Sequence, residues 1–184
     1  MTGVQTAATR DSATPDEVLA WLRAGNERFV AGTPTERDLL EQARATVEGQ
    51  FPLAAVVGCI DSRVPVEAVF DLGIGDAFVA RSAGNVIDAD VLGGLEFGTE
   101  LAGAKVIVVL GHSSCGAVKG ACQGAELGNL TQLLAKITPA VELASGGEPA
   151  PGIDDAELVR RAIEQNVLNS ITALRSSDVL AVRE

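Results

Sequence analysis

Long hydrophobic runs are missing from this sequence. Runs such as "VIVVLG" at residues 106–111 fall far short of the roughly 20 apolar residues that a membrane-spanning helix needs. Cations are scarce: 14 Lys and Arg stand against 25 Asp and Glu, for a net charge of −11. That balance argues against nucleic acid and anionic membrane surfaces, both of which call for basic patches. An anionic substrate would have to be drawn by a local cation or metal. Three cysteines, Cys59, Cys115 and Cys122, are too few and too irregularly placed for a disulfide framework, which turns attention to metal binding or catalysis. Tyrosine is absent and histidine occurs once, at His112. No internal repeat appears, and no low-complexity tract beyond "GGEPAPG" at 146–152. The first residues, "MTGVQTAATRDSATPDE", have no basic segment leading into an apolar core. A secretory signal is therefore not expected, and a cytoplasmic protein is.

The 184 residues are 47% hydrophobic, enough for one domain with a sizeable core. Residues 1–13 read as a flexible polar arm, and 14–184 as a single domain divided into a helical arm (14–49) and an α/β core (50–184). The arm has clear helix signals: Thr14 as cap, Pro15 in the first turn, Asp16 and Glu17 after it, and Gly32 beyond the end. A second helix is predicted over "TERDLLEQARATVEG", 35–49. From residue 51 the pattern changes. The unbroken apolar run "PLAAVVG" (52–58) marks a strand buried on both faces, and "DAFVAR" (76–81) and "KVIVVLGH" (105–112) are two more. Helices are predicted at 88–104, in "AVKGACQG", and over about 128–144 and 154–176. The fold class that follows is α/β: a central, mostly parallel sheet flanked by helices, with an N-terminal helical arm.

Against this background "GCIDSRV" (58–64) is out of place. A thiol, a carboxylate and a guanidinium, Cys59, Asp61 and Arg63, alternate at the end of an apolar strand, where each is costly to bury. Their counterpart is "GHSSCG" (111–116), with His112 and Cys115 at the end of the third strand. The C-terminal edge of a parallel sheet is where ligands bind. If the two strands are neighbours, Cys59, His112 and Cys115 meet. Two thiolates and an imidazole are a zinc ligand set, and three protein ligands leave a fourth position open, as catalytic sites do. A lone cysteine after a strand is ordinarily a small buried hydrophobe, and Cys122 is read that way. The combination of the sole histidine with two cysteines at strand ends is what points to a metal. Asp61 either accepts a hydrogen bond from water activated on zinc, or closes the site as a fourth ligand, or forms a loop ion pair with Arg63.

"CIDSRV", "RSAGN" (81–85) and "GHSSCGAV" (111–118) together resemble the β-class carbonic anhydrases, from about Glu17 to the end of the chain. The resemblance implies one Zn2+ held by Cys59, His112 and Cys115, a catalytic Asp61–Arg63 dyad, and reversible hydration of CO2 to bicarbonate. It implies substrate contacts at Gln50, at the apolar wall residue Phe78 and at the Gly116 amide, in the plant-like, non-allosteric type. Phe97 stands where many members have Tyr, and Val56 where the bicarbonate-inhibited members have Trp. Family members continue beyond the last helix into an edge strand with a "Y-D-x-x-T-G"-like signature, which this sequence does not contain. The family also implies a homodimer or larger homo-oligomer, with the helical arm wrapped on a neighbour. Two other readings use the same residues: hydrolysis of COS or CS2 on this fold, and a non-catalytic zinc scaffold.

Overall fold

The computed structural model describes residues 3–147 and 155–180. The expected loop at 146–152 and the start of the last helix at 154 fall largely outside them. The chain forms α1 (Ala7–Ser12), α2 (Pro15–Ala31), α3 (Leu39–Ala45), β1 (Ala54–Cys59), α4 (Val66–Val69) and β2 (Ala77–Ser82). A short 3-10 turn (Ala83–Asn85) and α5 (Ala89–Glu96) lead through a wider helical turn (Phe97–Leu101) to β3 (Val106–Leu110). Four more helices follow: α6 (Gly116–Cys122), α7 (Gly128–Ala135), α8 (Thr138–Ser145) and α9 (Ala156–Arg175). The strands make a parallel sheet in the order β2-β1-β3, flanked by helices, as the apolar runs predict. Every residue of β1 is buried, which is why its sequence does not alternate. Among the described residues no helix is long and apolar enough to cross a membrane.

The chain divides into two compact units. The first comprises the chain up to Val56 with Arg63–Ala80 and Ala89–Val108, and its core gathers Val18, Leu22, Leu53, Ala54 and Leu72. Residues 7–12, within the stretch read as a polar arm, form a helix. Thr6 and Thr9 cap it reciprocally, and the buried Gln5 side chain donates to Asp76 Oδ1 at 3.0 Å. In α2 the expected cap is present: Thr14 accepts from the Glu17 N–H while Glu17 reaches back, and Gly32 closes the helix with φ 69. The second helix is shorter than the sequence suggests. It starts only after Asp38, because Thr35 and Arg37 are turned instead towards the buried carboxylate of Asp71. Long-range bonds override local helix preference there.

Gly25 faces the end of α4 so closely that a Cβ would lie 1.9 Å from the Phe70 carbonyl oxygen. Gly25→Ala is therefore expected to destabilise the protein by about 1–3 kcal/mol despite alanine's better helix propensity. A urea midpoint equal to or above that of wild type would refute this contact.

The second unit comprises Val57–Ser62, Arg81–Asp88 and the chain from Val109 onward. Its core joins Cys59, Val86, Cys115, Val118, Leu134, Ile137, Val141, Leu158 and Ala162, so α6, α7, α8 and α9 pack about the carboxyl ends of the strands. The single helix expected over 128–144 is two, with Pro139 in the first turn of α8. Proline lacks the N–H that an uninterrupted helix would use at that point.

Candidate metal centre

All of the metal-ligand candidates lie in the second unit. Cys59 is the last residue of β1, and His112 follows the end of its neighbour β3. Ser114 takes the left-handed φ of 56, which turns the chain so that Cys115 opens α6. The Cys59 and Cys115 sulfurs are 3.9 Å apart, and one ligand atom from each of Cys59, His112 and Cys115 lies within 4.8 Å of the others. Two sulfurs bound to one tetrahedral zinc at about 2.3 Å each would be separated by roughly 3.8 Å, so the spacing fits the ion.

The histidine makes a second, independent fit. Its Nδ1 lies 2.9 Å from the Ser113 carbonyl oxygen, which can only accept, so Nδ1 carries the ring proton and Nε2 presents its lone pair. That Nε2 is buried and has no hydrogen-bond partner among the described residues. An unsatisfied buried acceptor costs about 1–3 kcal/mol, and a cation among the two sulfurs would satisfy it. Burial pushes the Cys115 thiol above its ordinary range; the Val118 N–H opposes this, the Cys59 sulfur reinforces it and the Ala117 N–H opposes it. Thiolates so placed need a cation. Asp61 Oδ2 is 4.0 Å from His112 Nε2, and its side chain is 15% exposed. The structure thus brings a carboxylate beside the ligand cluster, where it can either bind the ion or orient what the ion binds.

Several neighbours hold this arrangement, and sequence reasoning assigned them no role. Arg81 Nε donates to the Cys59 carbonyl at 2.7 Å and its terminal nitrogen to the Asp61 carbonyl at 2.6 Å. One guanidinium therefore fixes the backbone on both sides of Ile60. The Gly84 N–H donates to Cys59 Sγ at 3.2 Å. Beside His112 opens a groove of about 960 Å³, with Val159, Ile163 and Val167 of α9 on its apolar side.

The other residues singled out from the sequence are placed as follows. Gly116 is exposed in the first turn of α6, where backbone N–H groups have no carbonyl of their own helix to meet. Phe78, half-buried on β2 in the first unit, packs edge-on against Phe97 with ring centroids 5.8 Å apart. Gln50 and Arg63 are exposed residues of the first unit, Val56 is buried in β1, and Cys122 is buried in α6.

Comparison with known proteins shows the family. The sequence model of the family described as "Carbonic anhydrase" matches residues 54–184. Carbonic anhydrase 2 of Mycobacterium tuberculosis is 49% identical over 116 residues, 61% of this chain and 56% of that protein. The carbonic anhydrase of Mycolicibacterium smegmatis is 42% identical over 134 residues, 68% of this chain and 65% of that one. The chain thus spans a little over half the length of the M. tuberculosis relative. Among solved structures, the β-carbonic anhydrase CafA of Aspergillus fumigatus superposes with TM-score 0.67 at 30% identity, covering 88% of this chain and 77% of that one. A tetrameric β-carbonic anhydrase of Sordaria macrospora shares the fold with the same TM-score at 24% identity, covering 88% and 82%. With its Cys-His-Cys cluster at the carboxyl edge of a parallel sheet, the chain belongs to the β-class carbonic anhydrases.

Proposed function

We propose that the protein catalyses the reversible hydration of CO2 to bicarbonate and a proton, using one Zn2+ held by Cys59, His112 and Cys115. The observation that carries this reading is the buried, unpartnered His112 Nε2 beside two sulfurs 3.9 Å apart. Zinc bound there supplies Lewis acidity and brings the ionisation of water down to a pH of about 7. The chain's own residues do the rest. Asp61, beside the cluster, accepts a hydrogen bond that aims the attacking oxygen, or closes the site when the carboxylate itself becomes a ligand. Arg63 is its proposed partner in the dyad. The Gly116 N–H and Gln50 are proposed to steady the charge that develops on bicarbonate, and Phe78 to give CO2 a dry wall. With a single histidine in the sequence, proton release falls to buffer or bound water.

A homodimer or larger homo-oligomer is part of the same proposal. Phe29, Val30, Leu39, Leu40 and Val47 leave the arm with exposed apolar side chains, and the S. macrospora relative is described as tetrameric. The same proposal places the protein in the cytoplasm and divides the chain into an arm, 14–49, and a core, 50–184.

Stopped-flow CO2 hydration on protein of known zinc content, at pH 7 and pH 8.5, tests the reading. Zinc-dependent activity is expected, removed by chelation and by Cys59→Ser. Activity confined to the higher pH would identify Asp61 as a fourth ligand near neutrality. Full zinc occupancy without hydration at either pH would overturn the proposal, and turnover of COS or CS2 by the same sample would replace it.

A further inference from the structure

The inner face of α9 carries two polar residues, Asn166 and Ser170, only 4% and 6% exposed. Buried amides and hydroxyls are costly unless they are paired, so their partners explain them. Asn166 Nδ2 donates to the Gly84 carbonyl at 2.7 Å, across 82 residues of sequence. On the other side of the same α-carbon, the Gly84 N–H donates to Cys59 Sγ at 3.2 Å. Gly84 is also confined on the side where a side chain would stand. Its φ is 68, and a Cβ there would meet Ile137 Cδ1 at 2.6 Å and Ala117 Cβ at 3.3 Å. Ser170 instead lies 2.9 Å from the Asn166 carbonyl and 3.3 Å from that of Asn85, and does not reach Gly84.

We infer that Asn166 is a positioning residue for the metal ligand Cys59, acting through Gly84: by fixing the Gly84 carbonyl it aims the Gly84 N–H at the sulfur. Such a bond withdraws electron density from a thiolate and sets the direction of its remaining lone pairs. Hydrogen-bond partners behind metal ligands are worth roughly 10–100-fold in metal affinity. Asn166 therefore tunes how tightly, and with how much sulfur donation, the cluster holds its ion. This inference rests on the metal reading above, though not on the identity of the substrate.

The test compares the wild-type chain with Asn166→Leu, Asn166→Ser and Ser170→Ala, using competitive zinc titration and Co2+ loading followed by absorption. Asn166→Leu is expected to weaken zinc binding by roughly 10–100-fold and to move the sulfur-to-cobalt charge-transfer band to lower energy, since the sulfur becomes a stronger donor. Asn166→Ser, too short to reach Gly84 and milder towards folding, is expected to do the same. Ser170→Ala, which breaks polar bonds on the same helix face, is expected to lower stability while leaving affinity and band unchanged. Asn166 variants that lose stability but keep wild-type affinity and the wild-type band would overturn the inference alone. Wild-type protein that binds neither metal would overturn the metal reading, and this inference with it.

Discussion

Replacing His112 by alanine is expected to abolish CO2 hydration and the zinc-dependent part of the protein's stability, yet to leave the metal-free protein within about 1 kcal/mol of wild type. The asymmetry follows from the state of Nε2, which is buried and has no hydrogen-bond partner among the described residues. Truncating the ring loses packing, but it also removes an orphaned polar atom whose burial costs about 1–3 kcal/mol, so the two effects oppose each other. With metal present the comparison reverses. Zinc bound as proposed, at 1,000 times its dissociation constant, would stabilise the wild type by about 4 kcal/mol. A variant lacking one of three direct ligands should lose more affinity than the roughly 10–100-fold attached to outer partners, and so most of that stabilisation. Thermal denaturation with and without zinc, alongside the hydration rate, reads both quantities. His112→Ala protein that zinc still stabilises as strongly as wild type would show that the imidazole is not a ligand.

The Cys59–His112–Cys115 cluster was legible in the sequence because it is made of scarce residue types. One histidine and two of three cysteines stand at the ends of apolar runs, and parallel strands bring such ends to one edge. The supporting residues were not legible, for a physical reason: they bond to backbone. Arg81 and Asn166 donate to the carbonyls of Cys59, Asp61 and Gly84, and every residue has a carbonyl. No spacing or residue type in "RSAGN" or "EQNVLNS" marks which one is chosen. Arg81 at a strand end reads as a solvated charge, and Asn166 as part of the polar face of an amphipathic helix, until its burial is seen. Of the fold, the strands and α2 carry their own signals of apolar runs, caps and a terminal glycine. The division of 128–144 at Pro139 had a local signal, since proline belongs in a first helical turn. The late start of α3 had none, because its cause is a carboxylate more than 30 residues away at Asp71.

That carboxylate is where the second large effect is expected. Asp71 is 5% exposed and adopts a left-handed φ of 49, a conformation uncommon for non-glycine residues though more open to aspartate than to most. Its two oxygens accept from Arg28, Arg37, and the Thr35 hydroxyl and N–H. Arg37 also donates to the Asp71 carbonyl oxygen, so backbone and side chain are held together. Burial alone would push the carboxyl up, but the Arg37, Arg28 and Thr35 hydrogen bonds outweigh it and hold the group well below the usual carboxylate range. Asp71→Asn keeps the shape but removes the charge, leaving Arg37, whose side chain is only 10% exposed, without its counter-ion. Breaking a buried pair in this way costs about 3–5 kcal/mol. The sign of the pH dependence is fixed by the direction of the shift. A carboxyl depressed in the folded state contributes fully above its unfolded value of about 3.9, and that contribution is lost as the pH falls towards the folded value. Wild-type stability is therefore expected to fall steeply below about pH 4, where Asp71→Asn falls less, so that the gap between them is widest at pH 7 and narrows at pH 3. Urea denaturation at the two pH values measures it. An Asp71→Asn deficit that is the same at pH 3 as at pH 7 would show that the aspartate matters by its shape, and that its charge adds nothing.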